Sequence, residues 1–272
     1  MFKGTEKRPG KLDIAKELDG IGAEYNAATS KENTWYYAKA SVKKIDTVMD
    51  VVFDIFLNSK LDEKEIDLER GVIIEELNMY RDMPHRHVSD LFEQLLYDDQ
   101  PAGWDIGGNK ETILKLKRGE FVDYFNTHYI ASKTVVAIAG NVDPEEIKSK
   151  VENYFKNIRQ GKSFDKLKVV EGQNEPQALV HNKKTDQTNF ILGVRAYDKY
   201  NDKKYPLGIM SVVLGGGMSS RLFSEIRDKR GLAYHIAAGG DTYTDSGFFI
   251  VKAGVNNEKA KEALKVVMDE LR

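Results

Sequence analysis

Glu69 and Glu76 stand seven positions apart in the stretch I-D-L-E-R-G-V-I-I-E-E-L-N-M-Y (residues 66–80), a spacing that stacks two carboxylates two turns apart on one helix face. At about 100° per residue, Ile66, Glu69, Ile73, Glu76, Leu77 and Tyr80 share a sector roughly 100° wide, the width of a core-facing stripe. An acid turned inward without a partner costs several kcal/mol, so it pairs with a cation or binds a metal. Glu75 points nearly the opposite way and reads as an ordinary solvated charge. The alternative is a slightly curved helix whose two acids sit at the edge of the stripe beside Lys or Arg.

The surrounding chain has to position that helix. Residues 12–18 read as a short helix that ends at Gly20-Ile21-Gly22. Residues 23–29 and 34–42 read as strands joined by the polar turn Ser30-Lys31-Glu32-Asn33. Ile45, Val48, Met49, Val52, Phe53 and Phe56 recur at helical spacing, and Val88, Leu91, Phe92, Leu95 and Leu96 do the same after the glutamate helix. A glycine-rich loop (residues 101–108), a helical face (Phe121, Tyr124, Phe125, His128), a short apolar strand (residues 134–139) and a helix opened by Asp143-Pro144 follow. Residues 161–176 are polar and without apolar periodicity, which predicts a linker between domains at 1–160 and 177–272.

Beyond the linker the layout begins again. R-G-L-A-Y-H-I-A-A (residues 230–238) resembles I-G-A-E-Y-N-A-A-T (residues 21–29), and Lys252-Ala253-Gly254-Val255 repeats Lys39-Ala40-Ser41-Val42, each copy leading into an amphipathic helix. The chain therefore reads as about one and a half copies of an α+β unit.

Bulk properties exclude several classes. The 272 residues are 41% hydrophobic and 31% charged, an ordinary globular composition long enough for two domains. A formal charge of −2 leaves no basic footprint for nucleic acid. No apolar run approaches the ~20 residues of a membrane span, and the N-terminus lacks the apolar segment of a secretory signal. With no cysteine in the chain, any metal must be held by His, Asp or Glu.

Met1-Phe2-Lys3-Gly4-Thr5-Glu6-Lys7-Arg8 resembles the sequence that directly follows the H-x-x-E-H zinc motif of the pitrilysin/insulinase class of metallopeptidases, closest to the bacterial and mitochondrial processing-peptidase branch. Val72-Ile73-Ile74-Glu75-Glu76 resembles the segment that carries the third zinc ligand, with Glu76 in the ligand's place and Glu69 in that of a supporting glutamate. Gly22-Ala23-Glu24-Tyr25-Asn26-Ala27-Ala28-Thr29 resembles the edge strand to which a peptide substrate adds as one more strand. The small Ala28 implies a roomier pocket beside the cleaved bond. Trp104-Asp105-Ile106-Gly107-Gly108 resembles the family's glycine loop. Arg227 and Tyr234 resemble the pair that holds substrate carbonyls from the second domain.

The resemblance implies an α+β fold of two tandem homologous domains, each a mostly antiparallel sheet packed with helices. It implies a zinc endopeptidase acting on unfolded peptides or presequences, Zn2+ as cofactor, a peptide partner, homodimerisation, and a cytoplasmic or mitochondrial-matrix location. H-x-x-E-H itself is absent from this sequence. The family's spacing puts it roughly seventy to eighty residues before Glu76, upstream of Met1. Two His ligands and the general-base Glu are therefore expected outside this chain, which lacks the first strand and H-x-x-E-H segment of its first domain. A non-catalytic peptide-binding or scaffold subunit of the same fold is the alternative.

Overall fold

Helices form where apolar residues recur at a period of 3.6, and strands where they alternate. The computed structural model describes residues 3–162 and 164–272, so Met1 and Phe2 of the N-terminal motif lie outside the described residues. In chain order the elements begin α1 (Lys11–Asp19), β1 (Glu24–Thr29), β2 (Thr34–Lys39), α2 (Ile45–Asn58), α3 (Glu63–Asp82) and α4 (Pro84–Tyr97). They continue with α5 (Lys110–Lys115), α6 (Arg118–His128), α7 (Pro144–Phe155), β3 (Gln187–Arg195), α8 (Lys204–Gly215), β4 (Ala233–Thr242), β5 (Gly247–Asn256) and α9 (Ala260–Glu270). Residues 164–186 carry neither helix nor strand. Among the described residues no helix is long and apolar enough to cross a membrane.

Two compact units divide the chain: Met1–Glu75 with Ile106–Lys166, and Glu76–Asp105 with Leu167–Arg272. Each is discontinuous in sequence, whereas the repeat is contiguous. In the first unit β1 and β2 form an antiparallel hairpin that sets Glu24 opposite Lys39 and Thr29 opposite Thr34. Ile14 and Leu18 of α1 pack on Val51 and Ile55 of α2, with Ala23 and Tyr25 at their edge. The N-terminal motif is fastened onto this pair of helices. Thr5 Oγ1 donates to Asp54 Oδ2 at 2.6 Å, and the Arg8 guanidinium, 2% exposed, bonds Asp54 at 2.8 Å, Glu17 in two-toothed fashion, and Asp50. Asp143 caps α7 by accepting from the Glu146 N–H at 2.9 Å, with Pro144 as its first residue.

The second unit is built on an antiparallel sheet of order β3-β5-β4. Its core joins Leu222, Ile226, Ile236, Phe249, Val251 and Val267, all buried. On the other side Leu96 and Tyr97 of α4 pack against Phe248. The repeat is visible in three dimensions: β1-β2-turn-α2 in the first unit recurs as β4-β5-turn-α9 in the second. Helix α8 comes so close to β4 that a Cβ on Gly215 would stand 2.2 Å from the backbone nitrogen of Ala238. Gly215→Val is therefore expected to destabilise the second unit by about 1–3 kcal/mol through overpacking, read as a lower urea midpoint; an unchanged midpoint would show that α8 can lift off the sheet at no cost.

His85-Arg86-His87 lies in the first turn of α4, because Pro84 is tolerated as the first helical residue. Two local expectations need correction. Residues 134–139 alternate in burial as a strand should, but among the described residues they pair with no strand, so they are extended without belonging to a sheet. The stripe on α3 is mostly half-buried: Leu77 alone is buried, Ile66, Glu69, Ile73 and Tyr80 are intermediate, and Glu76 is exposed. Periodicity gives the width of a stripe, but what packs on it decides whether it is covered. On α3 Leu68, Val72 and Met79 are exposed as well, so its apolar residues do not single out one side.

Candidate functional site

Helix α3 carries both glutamates, and the boundary between the two units falls inside it, between Glu75 and Glu76. In the first unit Glu69 Oε2 is shielded from solvent and meets the Lys3 ammonium at 2.6 Å, an ion pair without hydrogen-bond alignment. The lysine follows directly on the resemblance segment's first residues, and no local pattern in the sequence pointed to it. In the second unit Tyr80, one turn after Glu76, donates its hydroxyl to Glu76 Oε1 at 2.6 Å. The Arg86 guanidinium lies 3.8 Å over the Tyr80 ring. This hydrogen bond to a carboxylate holds the Tyr80 phenol above its ordinary pKa. The i, i+4 spacing of Glu76 and Tyr80 is the sequence signal for that contact.

Strand β1 presents Asn26, Ala27 and Ala28 in the hairpin, opposite Tyr37, Tyr36 and Trp35. Asn26 turns its side-chain oxygen to the Ala27 N–H at 2.8 Å. A cavity of about 400 Å³ opens between α1 and the start of β1, lined by Lys3, Leu12, Ala15, Tyr25 and Asn26 among others. Lys3 thus touches both Glu69 and the space beside Asn26. Trp104, 56% exposed, donates its indole N–H to Asp99 at 3.1 Å.

In the second unit the fold brings Arg227 and Tyr234 together. Arg227 sits in a π-helical stretch, Phe223–Asp228, where the Lys229 N–H reaches back five residues to the Ser224 carbonyl at 2.9 Å. Its guanidinium lies 5.0 Å from the centre of the Tyr234 ring and 4.9 Å from that of Phe223. Tyr234, on β4, is 76% exposed. An exposed arginine stacked on an exposed tyrosine keeps its N–H groups available to a carbonyl or carboxylate.

The family model described as Insulinase (Peptidase family M16) matches residues 1–109, and the one described as Peptidase M16 inactive domain matches residues 115–272. The chain belongs to peptidase family M16. Among its M16 relatives, an uncharacterized zinc protease of Streptomyces coelicolor is 35% identical over all of this chain and 60% of its own length. Another of Bacillus subtilis is 33% identical over 99% of this chain and 65% of its own. The chain thus spans less than two thirds of these relatives. Two solved structures share the fold: a peptidase M16 inactive domain from Pseudomonas fluorescens (TM-score 0.90, 18% identity, 99% of this chain and 66% of that one) and a protease from Helicobacter pylori (0.87, 23%, 97% and 66%). The two-domain α+β architecture is that of M16.

The zinc that the relatives' names imply needs a set of donors. Among the described residues no three His, Cys, Asp or Glu side chains converge as ligands. Glu76 is one exposed carboxylate, and Glu69 is taken by Lys3. One imidazole pair, His87 and His181, packs ring edge to ring face at 5.1 Å, and burial together with His181 holds His87 below its ordinary pKa. These residues by themselves do not fit a zinc ion, which takes four donors in a structural site and three plus water in a catalytic one.

Proposed function

We propose that this chain is the substrate-binding part of an M16 zinc endopeptidase that acts on unfolded peptides or presequences. Glu76 supplies one zinc ligand, and the remaining ligands and the general base come from a longer form of the protein that carries H-x-x-E-H. The observation that carries this reading is the state of Glu76. It is exposed on α3, and among the described residues its partner is a single hydroxyl, that of Tyr80 on Oε1. A carboxylate so held is oriented by a hydrogen bond and has no cation beside it among the described residues, although it is not turned inward as its helix face predicts. Glu69, with Lys3, positions this part of α3 from outside the metal's own ligands. An extended peptide adds to β1 along Asn26, Ala27 and Ala28, with main-chain hydrogen bonds giving affinity and side-chain pockets giving selectivity. Arg227 and Tyr234 hold peptide carbonyls, and pairing of two identical chains is part of the same reading.

The alternative is a non-catalytic peptide-binding or scaffold subunit of the same fold. Metal analysis and peptide cleavage separate the two. The 272-residue chain alone is expected to hold well under one zinc per molecule and to cleave no unstructured peptide. A longer form with H-x-x-E-H is expected to hold one zinc and to cleave. Cleavage by the short chain would contradict the assignment of ligands, and a longer form free of zinc would establish the scaffold.

A further inference from the structure

Four cations stand between residues 221 and 230, and three of them are paired with acids. Arg221 meets Glu270 at 2.9 Å, and Lys229 and Arg230 both meet Glu225. Arg227, the fourth, has no carboxylate partner among the described residues and is held instead by the rings of Phe223 and Tyr234. An aromatic face holds a guanidinium through its charge and takes up none of its N–H donors. The arginine is thus placed without being neutralised.

Phe223 serves this contact and not the core. Leu222 and Ile226 are fully buried in the apolar cluster of the second unit, whereas Phe223 is half-buried and belongs neither to that cluster nor to the residues packed against it. Among the described residues its ring partner is Arg227. A phenylalanine left partly in water gives up part of the benefit of burial, so its place beside the arginine calls for a role.

The backbone sets the three side chains relative to one another. Leu222 and Ile226 anchor the helical turn to the core, and Phe223 and Arg227, each one residue later, emerge side by side. The turn closes on Gly231, at φ +56°, whose N–H donates to the Arg227 carbonyl at 3.1 Å while the Leu232 N–H donates to that of Ile226 at 2.9 Å. A left-handed glycine ends a helix in this way, and here it returns the chain so that Tyr234 on β4 reaches Arg227.

We infer that Phe223 is a positioning residue for peptide binding: with Tyr234 it clamps the Arg227 guanidinium ready for a peptide carbonyl, without touching the peptide itself. The inference rests on the reading of Arg227 and Tyr234 as residues that hold peptide. A long arginine side chain loses rotamer freedom when a ligand fixes it, and a clamp that fixes it beforehand removes that cost from binding. Tyr234, 76% exposed, is clamp and contact together, whereas Phe223 is clamp alone.

The test uses the full 272-residue chain and, as probe, a fluorescein-labelled unstructured peptide of Gly, Ser, Ala and Leu, with affinity read by fluorescence anisotropy. Phe223→Leu keeps apolar bulk without a ring and is expected to weaken binding about 2–5-fold. Phe223→Tyr keeps the ring and should bind as the parent does. Arg227→Met is expected to weaken binding at least ~10-fold. In the Arg227→Met background Phe223→Leu should change nothing further, as befits a residue that acts through the arginine. NMR relaxation of the Arg227 Nε–H, assigned by its loss in Arg227→Met, should report a rigid side chain in the parent and in Phe223→Tyr and a mobile one in Phe223→Leu. An Arg227 that is mobile in the parent or still rigid in Phe223→Leu, a loss of affinity that persists without the arginine, or a Phe223→Leu chain that does not fold would each overturn the inference and leave the peptide-holding reading intact. No binding by the parent, or equal binding by the parent and Arg227→Met, would remove that reading and the positioning role with it.

Discussion

Arg8→Met is expected to cost the first unit about 3–5 kcal/mol, the range for removing one partner of a buried ion pair. Arg8 is 2% exposed and Asp54 8%, and the substitution leaves Asp54 inside without its cation. Thr5 and Asn58 still donate to Asp54, at 2.6 and 2.9 Å, which places the loss toward the lower end. The effect is read as a lower urea midpoint for the first unit. An unchanged midpoint would mean that the network positions the N-terminal motif without stabilising it.

The same network sets the acid limb of stability. Burial alone would raise the Asp50 pKa, but hydrogen bonds from Lys7 and Arg8, and their charges, hold it below the ordinary carboxylate value. A group whose folded pKa is depressed contributes stability that is fully present above its unfolded pKa, about 3.9, and is lost as pH falls through the folded value. Stability therefore falls with acid below about pH 4. Arg8→Met removes one of the two cations on Asp50, so stability should depend less steeply on pH in that window.

The second large effect falls on Glu76. In a longer form that carries H-x-x-E-H, Glu76→Gln is expected to lower zinc affinity and kcat/KM by more than ~100-fold, since even partners outside the metal's own ligands are worth ~10–100-fold. Glu69→Gln belongs in that smaller range. Zinc content measured beside cleavage separates a lost ligand from a misfolded chain, and the far-UV spectrum should be unchanged in both variants. Equal zinc and equal activity in Glu76→Gln and the parent protein would end the ligand assignment.

How much of this was legible in the residues differs from element to element. The hairpin at residues 24–39, α2 and the capped start of α7 follow from alternation, helical periodicity and Asp143-Pro144, all of which act within a few residues. The duplication was equally plain, because a repeated sequence folds into a repeated unit, and β4-β5-α9 answers β1-β2-α2. Membership of M16 was carried by short motifs whose order along the chain is itself informative.

What the chain order could not supply was contact between distant residues. The fate of the two acids is the clearest case. Their spacing put Glu69 and Glu76 on one helix face, but only folding brought Lys3 to Glu69 and left Glu76 exposed with Tyr80. Likewise residues 134–139 have the alternation of a strand, yet pairing depends on a neighbour that no local pattern can provide. Arg8 reads as one more surface cation until α1 and α2 close over it. Local preference is written in neighbouring residues and so was fixed by sequence alone, whereas burial and pairing depend on which distant surfaces meet, and that was decided only by the tertiary structure.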